Sequence, residues 1–185
     1  DMSLVFPFIW GRKDNFKKLL DTDYIQNKTL DNGRPKLFFT LHMGCVDMLV
    51  FIMGELLSQI NILYTPAKNK KLEAKLKKIR ESGGAKMLPA TDNGVKELYK
   101  RFLAGENLLI ASDLVPHKKG VYEKFFNKEC FCIDLIEKLS QKNTHDLYVV
   151  YLTKGKEKKY SFKVKKIENQ ITTKEMNRHF EEAIL

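Results

Sequence analysis

Between residues 36 and 111 short apolar runs alternate with longer stretches whose apolar residues recur at helical spacing, and this alternation constrains the fold more than any other feature. Residues 36–41, bounded by the turn cluster Asp31-Asn32-Gly33-Arg34-Pro35, read as a buried strand. Residues 46–57 are apolar almost all round, including Met48, Leu49, Val50, Phe51, Ile52 and Met53, the pattern of a helix that is buried or faces a membrane. Residues 61–65 give a second strand. After Pro66 a helix carries Leu72, Leu76 and Ile79 on one face and lysines on the other, and Gly83-Gly84 ends it. A third strand at residues 86–88 leads to a helix capped by Asp92 or Asn93, with Val95, Leu98, Tyr99, Phe102 and Leu103 facing inward. Residues 107–111 are the fourth strand. Strands separated by helices pair in parallel, because a crossover must return the chain to the same end of the sheet.

Further strands are expected at residues 122–126, 147–152 and 160–167, the last two joined as a hairpin across Lys154-Gly155-Lys156. Thr172-Thr173-Lys174-Glu175 has the form of a capping box opening a final helix. No internal repeat or long linker interrupts the 185 residues. The expectation is one α/β domain over residues 1–185, a central, mostly parallel mixed sheet flanked by helices.

Where the first strand hands over to the first helix stands Leu41-His42-Met43-Gly44-Cys45-Val46-Asp47. A His at such a corner can take a proton from a substrate hydroxyl, and an Asp a turn further on can hold the other ring nitrogen in one tautomer. The plain alternative is a capping Asp beside a partly buried His. Ligands of open α/β sheets gather at the carboxyl ends of strands, and several other polar residues fall there. Lys68 and Asn69 open a helix, where free amide groups favour an anion. Arg80 has the forked donors that suit a phosphate, or is one more charge on a basic helix. Asp92 and Asn93 serve a ligand or simply cap; Asp113, ahead of Lys118-Lys119-Gly120, lines a site or pairs with those lysines. His117, His145 and His179 have no partners at a recognisable spacing, and no metal site is read.

Four blocks carry a resemblance in their order and spacing: His42 to Asp47; Tyr64-Thr65-Pro66-Ala67-Lys68-Asn69 leading to Arg80-Glu81-Ser82-Gly83; Leu88-Pro89-Ala90-Thr91-Asp92-Asn93-Gly94; and Asp113 to Val121 with Phe125-Phe126. Together, over roughly residues 36–185, they resemble the lipid A biosynthesis acyltransferase family, the lauroyl and myristoyl transferases of the wider glycerolipid acyltransferase superfamily. The resemblance implies transfer of a fatty acyl chain from an acyl carrier protein or acyl-CoA thioester to a hydroxyl of a lipid A precursor or related glycolipid. By that resemblance His42 is the general base, Asp47 orients it, Asp113 lies on the acceptor side of the cleft, and no cofactor is needed beyond the thioester co-substrate. It further implies an acyl carrier protein, a lipid acceptor and an anionic membrane as partners, at the cytoplasmic face of a bacterial inner membrane.

Two departures stand out. The family's Asn-Trp-Glu is here Cys45-Val46-Asp47, which keeps a carboxylate but shortens its reach by one methylene. Residues 127–139 replace a Gly- and Pro-rich stretch. The family usually carries an apolar N-terminal anchor and a C-terminal motif with Trp and Arg; these residues show neither, and a trimmed chain is expected.

Composition narrows the partners without choosing one. Apolar residues make up 43% and charged ones 30%, a mixture that folds. A net charge of +10 attracts nucleic acid, an anionic membrane or an acidic carrier. Much of it lies in two runs, from Lys68 to Arg80 and from Lys154 to Lys166, each of which alone would pass for a solvated face. No stacking aromatics interleave with the lysines, so nucleic acid is not expected. A catalytically degenerate binder of anionic lipid remains the alternative to an enzyme. Cys45, Cys130 and Cys132 have no metal spacing and read as reduced thiols, with Cys130 and Cys132 on opposite faces of a strand. Residues 2–10 are apolar but too few to span a bilayer and lack a signal peptide's charged leader.

Overall fold

A computed structural model describes residues 19–20, 30, 33–57, 59–113, 115–116, 119–154, 159–168 and 170–185. The chain runs β1 (Lys36–Thr40), α1 (Val46–Leu56), β2 (Ile60–Tyr64), α2 (Lys70–Glu81), β3 (Ala85–Pro89), α3 (Asp92–Leu103) and β4 (Asn107–Ala111). It continues through β5 (Val121–Phe125), β6 (Lys128–Cys132), α4 (Leu135–Ser140), β7 (Asp146–Lys154), β8 (Tyr160–Ile167) and α5 (Thr173–Ile184).

Six strands form one sheet in the order β3-β2-β4-β1-β7-β8. All neighbours are parallel except β8, which returns antiparallel on β7. The expected mostly parallel mixed sheet is therefore present. β1 is buried along its whole length because both faces of the sheet are covered. Its residues alternate: Phe38 enters the core under α1, while Leu37 and Phe39 join the core on the other face, with Leu98 and Phe102 of α3, Ile136 of α4 and Phe180 of α5. α1 buries seven consecutive residues from Met48 to Gly54, as its unbroken apolar sequence requires. The capping box at Thr172 and Glu175 forms and opens α5.

Three local expectations are corrected. α3 is capped by Thr91, whose hydroxyl accepts the Gly94 N–H at 3.2 Å, and not by Asp92 or Asn93, which lie inside the first turn. Gly94 is needed there: a Cβ on it would stand 1.8 Å from the Pro89 carbonyl oxygen. Residues 127–139 had no assigned element, yet they make β6 and α4. β6 pairs with β5 in a separate two-stranded sheet turned through Phe126 (φ 48°) and Asn127 (φ 61°), two left-handed residues that match the twist of a tight hairpin. Cys130 and Cys132 share a face, since residues two apart on a strand do, and their sulfurs lie 3.5 Å apart as free thiols. Residues 2–10, His117, Lys118, Lys156, Lys158 and the turn Lys154-Gly155-Lys156, beyond Lys154 itself, lie outside the described residues. Among those described, no helix is long and apolar enough to cross a membrane.

Candidate active site

β1 and β4 run side by side with Thr40 opposite Ala111, and the Ser112 N–H donates to the Thr40 carbonyl at 2.9 Å, carrying the parallel register one step past the strands. The next pair in line is His42 and Asp113. Both carboxylate oxygens of Asp113 are spent on this one residue: Oδ2 accepts the His42 backbone N–H at 2.6 Å, and Oδ1 accepts from ring Nδ1 at 2.8 Å. An ionised carboxylate only accepts, so Nδ1 carries the proton and Nε2 keeps its lone pair for a substrate.

The electrostatics agree. The hydrogen bond to Asp113 raises the His42 pKa above its ordinary value against the opposing effect of burial. Burial pushes the Asp113 carboxyl up, but the hydrogen bonds from the His42 ring and backbone outweigh it and hold the pKa below the usual range. The result is a half-exposed imidazole fixed in one tautomer, with raised proton affinity.

The contact expected between Asp47 and His42 is not formed, and the reason is local. The chain does not pass from strand to helix at His42: the Met43 N–H closes a tight turn onto the Leu41 carbonyl at 2.8 Å, Gly44 takes a left-handed φ of 66°, and α1 begins only at Val46. Only Gly fits at 44 without strain, and a Cβ there would stand 2.8 Å from the Leu152 carbonyl oxygen of β7. Asp47 therefore leaves from the first turn of α1 toward α2, where it accepts from Arg80 Nε at 2.7 Å, both side chains about one-fifth exposed. Its effect on His42 is a remote attraction, smaller than that of Asp113 and opposed by Arg80.

Arg80 also lies over the Tyr64 ring, 5.8 Å from its centroid. The Tyr64 hydroxyl donates to Glu73 Oε1 at 2.5 Å and the Ala67 N–H to Glu73 Oε2 at 2.7 Å. Burial, and then the Glu73 carboxylate, push the Tyr64 hydroxyl up to about 12, while that hydroxyl holds Glu73 below the usual carboxylate range. Glu73 was not foreseen; its only trace in the sequence is an acid set within a run of lysines.

Between α1 and the sheet lies a cavity of about 270 Å³. Val46, Leu49, Val50, Ile62, Met87 and Leu109 wall it, and His42, Tyr64, Thr65 and Arg80 line it near the carboxyl ends of the strands. The His42 ring and the Arg80 guanidinium thus meet at one apolar cavity. A groove of about 410 Å³ between α3 and α4, lined by Val95, Tyr99, Leu135 and Leu139 with Lys96 and Lys100, holds no general base.

The remaining predicted residues fall away from this centre. Asn69 is the N-cap of α2, its Oδ1 accepting from Lys71 and Leu72 at 3.0 and 3.2 Å, and so is committed to the helix. Lys68, Asp92, Asn93 and Lys119 are exposed, and Asn69 and these four are absent from the cavity lining. His145 is structural, stacked on Phe102 at 4.2 Å and held below its ordinary pKa by burial. His179 stands 3.5 Å from Glu182.

The family model described as bacterial lipid A biosynthesis acyltransferase matches residues 13–185. No curated protein matches the chain.

Proposed function

Because the chain belongs to the bacterial lipid A biosynthesis acyltransferase family and is an acyltransferase of that type, we propose that His42 is its general base and that Asp113, not Asp47, orients it. The observation that carries the reading is the two-oxygen grip of Asp113 on His42 beside an apolar cavity. The acceptor hydroxyl approaches Nε2, gives up its proton as its oxygen attacks the thioester carbonyl, and the tetrahedral oxyanion collapses to the ester. The imidazolium, stabilised by the Asp113 carboxylate, returns the proton to the departing thiolate, so atoms and charge balance and no covalent enzyme intermediate is needed.

The apolar wall of the cavity receives hydrocarbon, and Arg80, steadied at Nε by Asp47, holds an anionic group of the acceptor with its remaining donors. The thioester donor is an acyl carrier protein or acyl-CoA, and the acceptor a phosphorylated lipid A precursor or related glycolipid at the cytoplasmic face of the inner membrane. The basic balance suits an acidic carrier and an anionic acceptor alike. The test is to incubate purified protein with each thioester and a phosphorylated glucosamine lipid, and to follow the lipid by mass spectrometry. A product heavier by one acyl chain, absent with His42→Ala, supports the reading; no product from either donor overturns it.

A further inference from the structure

α2 is the only one of the described α-helices of eight or more residues that buries none of its residues. α3 and α5 are of the same length and bury three and four. What holds α2 in place is polar. Glu73 is tied to Tyr64 and Ala67, and Arg80 to Asp47. Its apolar stripe is only half used: Leu76 and Ile79 are half-buried and Leu72 is 43% exposed.

The helix's charges are sorted by this anchoring. Both acids are occupied on the protein side, Glu73 as above and Glu81 by the Met87 N–H at 3.1 Å and Lys77 at 3.9 Å. At 3.6 residues per turn, Lys71, Lys75 and Lys78 stand opposite the face fixed by Glu73 and Arg80, and Leu72 with Ile79 lies on the flank between them. Lys70, Lys71, Lys75 and Lys78 are exposed and form no ion pair with a described residue. A row of unneutralised lysines bordered by an open leucine is complementary to a surface that is anionic and has hydrocarbon just beneath its charge.

We propose that α2 docks this protein on an anionic lipid bilayer, lysines at the head groups and Leu72 at the hydrocarbon boundary. Tyr64 and Arg80 join the opposite face of α2 to the cavity that His42 lines, so docking holds that cavity about one helix diameter, roughly 10–12 Å, from the head groups. The inference extends the acyl-transfer reading by naming the surface from which its lipid is drawn.

The test is sedimentation with phosphatidylglycerol-containing vesicles and with pure phosphatidylcholine vesicles, alongside acyl transfer to acceptor held either in those vesicles or in detergent micelles. The wild type binds the anionic vesicles and releases as salt rises. Lys71→Glu with Lys75→Glu, both at exposed positions, lowers binding by about tenfold or more and slows transfer in vesicles but not in micelles. Leu72→Asp, with its melting temperature measured, lowers binding as well. Vesicle binding unchanged by the double reversal overturns the proposal, as does a rate lost equally in micelles, which would mark the lysines as contacts to an acidic carrier. If the wild type transfers no acyl chain even in micelles, the enzymatic reading falls, and the vesicle data still decide the docking.

Discussion

Asp113 and Asp47 each hold a side chain that lines the same cavity, His42 and Arg80 respectively, and they differ in what carries them. Asp113 comes off the end of β4, hydrogen-bonded along its length to β1, so its place beside His42 is set by a ladder in the middle of the sheet. Asp47 comes from α1, sunk in the core, and reaches Arg80 on α2, which has no buried residue. The His42–Asp113 pair therefore rests on one stiff layer, and the Asp47–Arg80 pair spans two elements of unequal anchorage. Stiffness suits a base whose reach to a hydroxyl must hold within tenths of an ångström, whereas an anion grip tolerates some give.

The sharpest way to test that division is to remove the base. His42→Ala should lower kcat on the order of 10²- to 10⁴-fold and barely move the melting temperature, because the His42 side chain is 45% exposed. Retained turnover in a purified sample would end the proposed chemistry.

Asp113→Asn should cost on the order of 10²-fold or more by freeing the wrong tautomer. It also has a signature in pH. With His42 as the proposed base the rate should rise as His42 loses its proton, and Asp113 keeps that pKa above its ordinary value. Without the anion the rising limb should move to lower pH while the plateau falls. Asp47→Asn should leave the limb close to its wild-type place; a limb that follows Asp47 and ignores Asp113 would reverse the assignment.

Arg80→Ala should weaken use of a phosphorylated acceptor by roughly 10- to 100-fold, the worth of one charge-assisted hydrogen bond, with a smaller loss for a dephosphorylated one. Arg80→Lys should recover only part, since a point charge does not replace a fork. Equal losses for both acceptors would make Arg80 a structural strut between α1 and α2.

The smallest effect is on stability. His42 has a raised pKa, so its pairing stabilises the fold below its unfolded pKa and is lost as pH rises through the folded one. Asp113 has a lowered pKa, so its contribution is present above its unfolded pKa and lost as pH falls. The two overlap between about pH 4 and pH 6.5. The gap in melting temperature between wild type and Asp113→Asn should be widest in that window and shrink on either side, modestly, because the pair is partly screened by solvent. A constant gap across pH would mean that the change acts through packing.

What sequence could give here follows from range. The strands β1, β2, β4 and β8, the burial of α1 and the capping box of α5 are written in neighbouring residues, and they were legible within a residue or so. Each of His42, Arg80 and Asp113 could also be picked out by its chemistry at a strand end or on a helix. What the pattern does not contain is the strand order that sets β4 beside β1, and with it the partner of His42, 71 residues away. The spacing of His42 and Asp47 suggested a helical turn between them; a tight turn at Met43–Gly44 uses up that spacing before α1 starts. β6 and α4 escaped because Lys128-Glu129-Cys130-Phe131-Cys132 alternates weakly and α4 has only six residues, too few for a period to show.

Gly44 gives the site a hidden vulnerability to drift. It has no proton to give, yet a side chain there would have to displace the β7 backbone at Leu152 or swing His42 out of line. In a library covering every position of this chain, Gly44 should be about as depleted as His42 when survival depends on turnover. It should recover nothing from chemically similar replacements, because what it contributes is the absence of atoms.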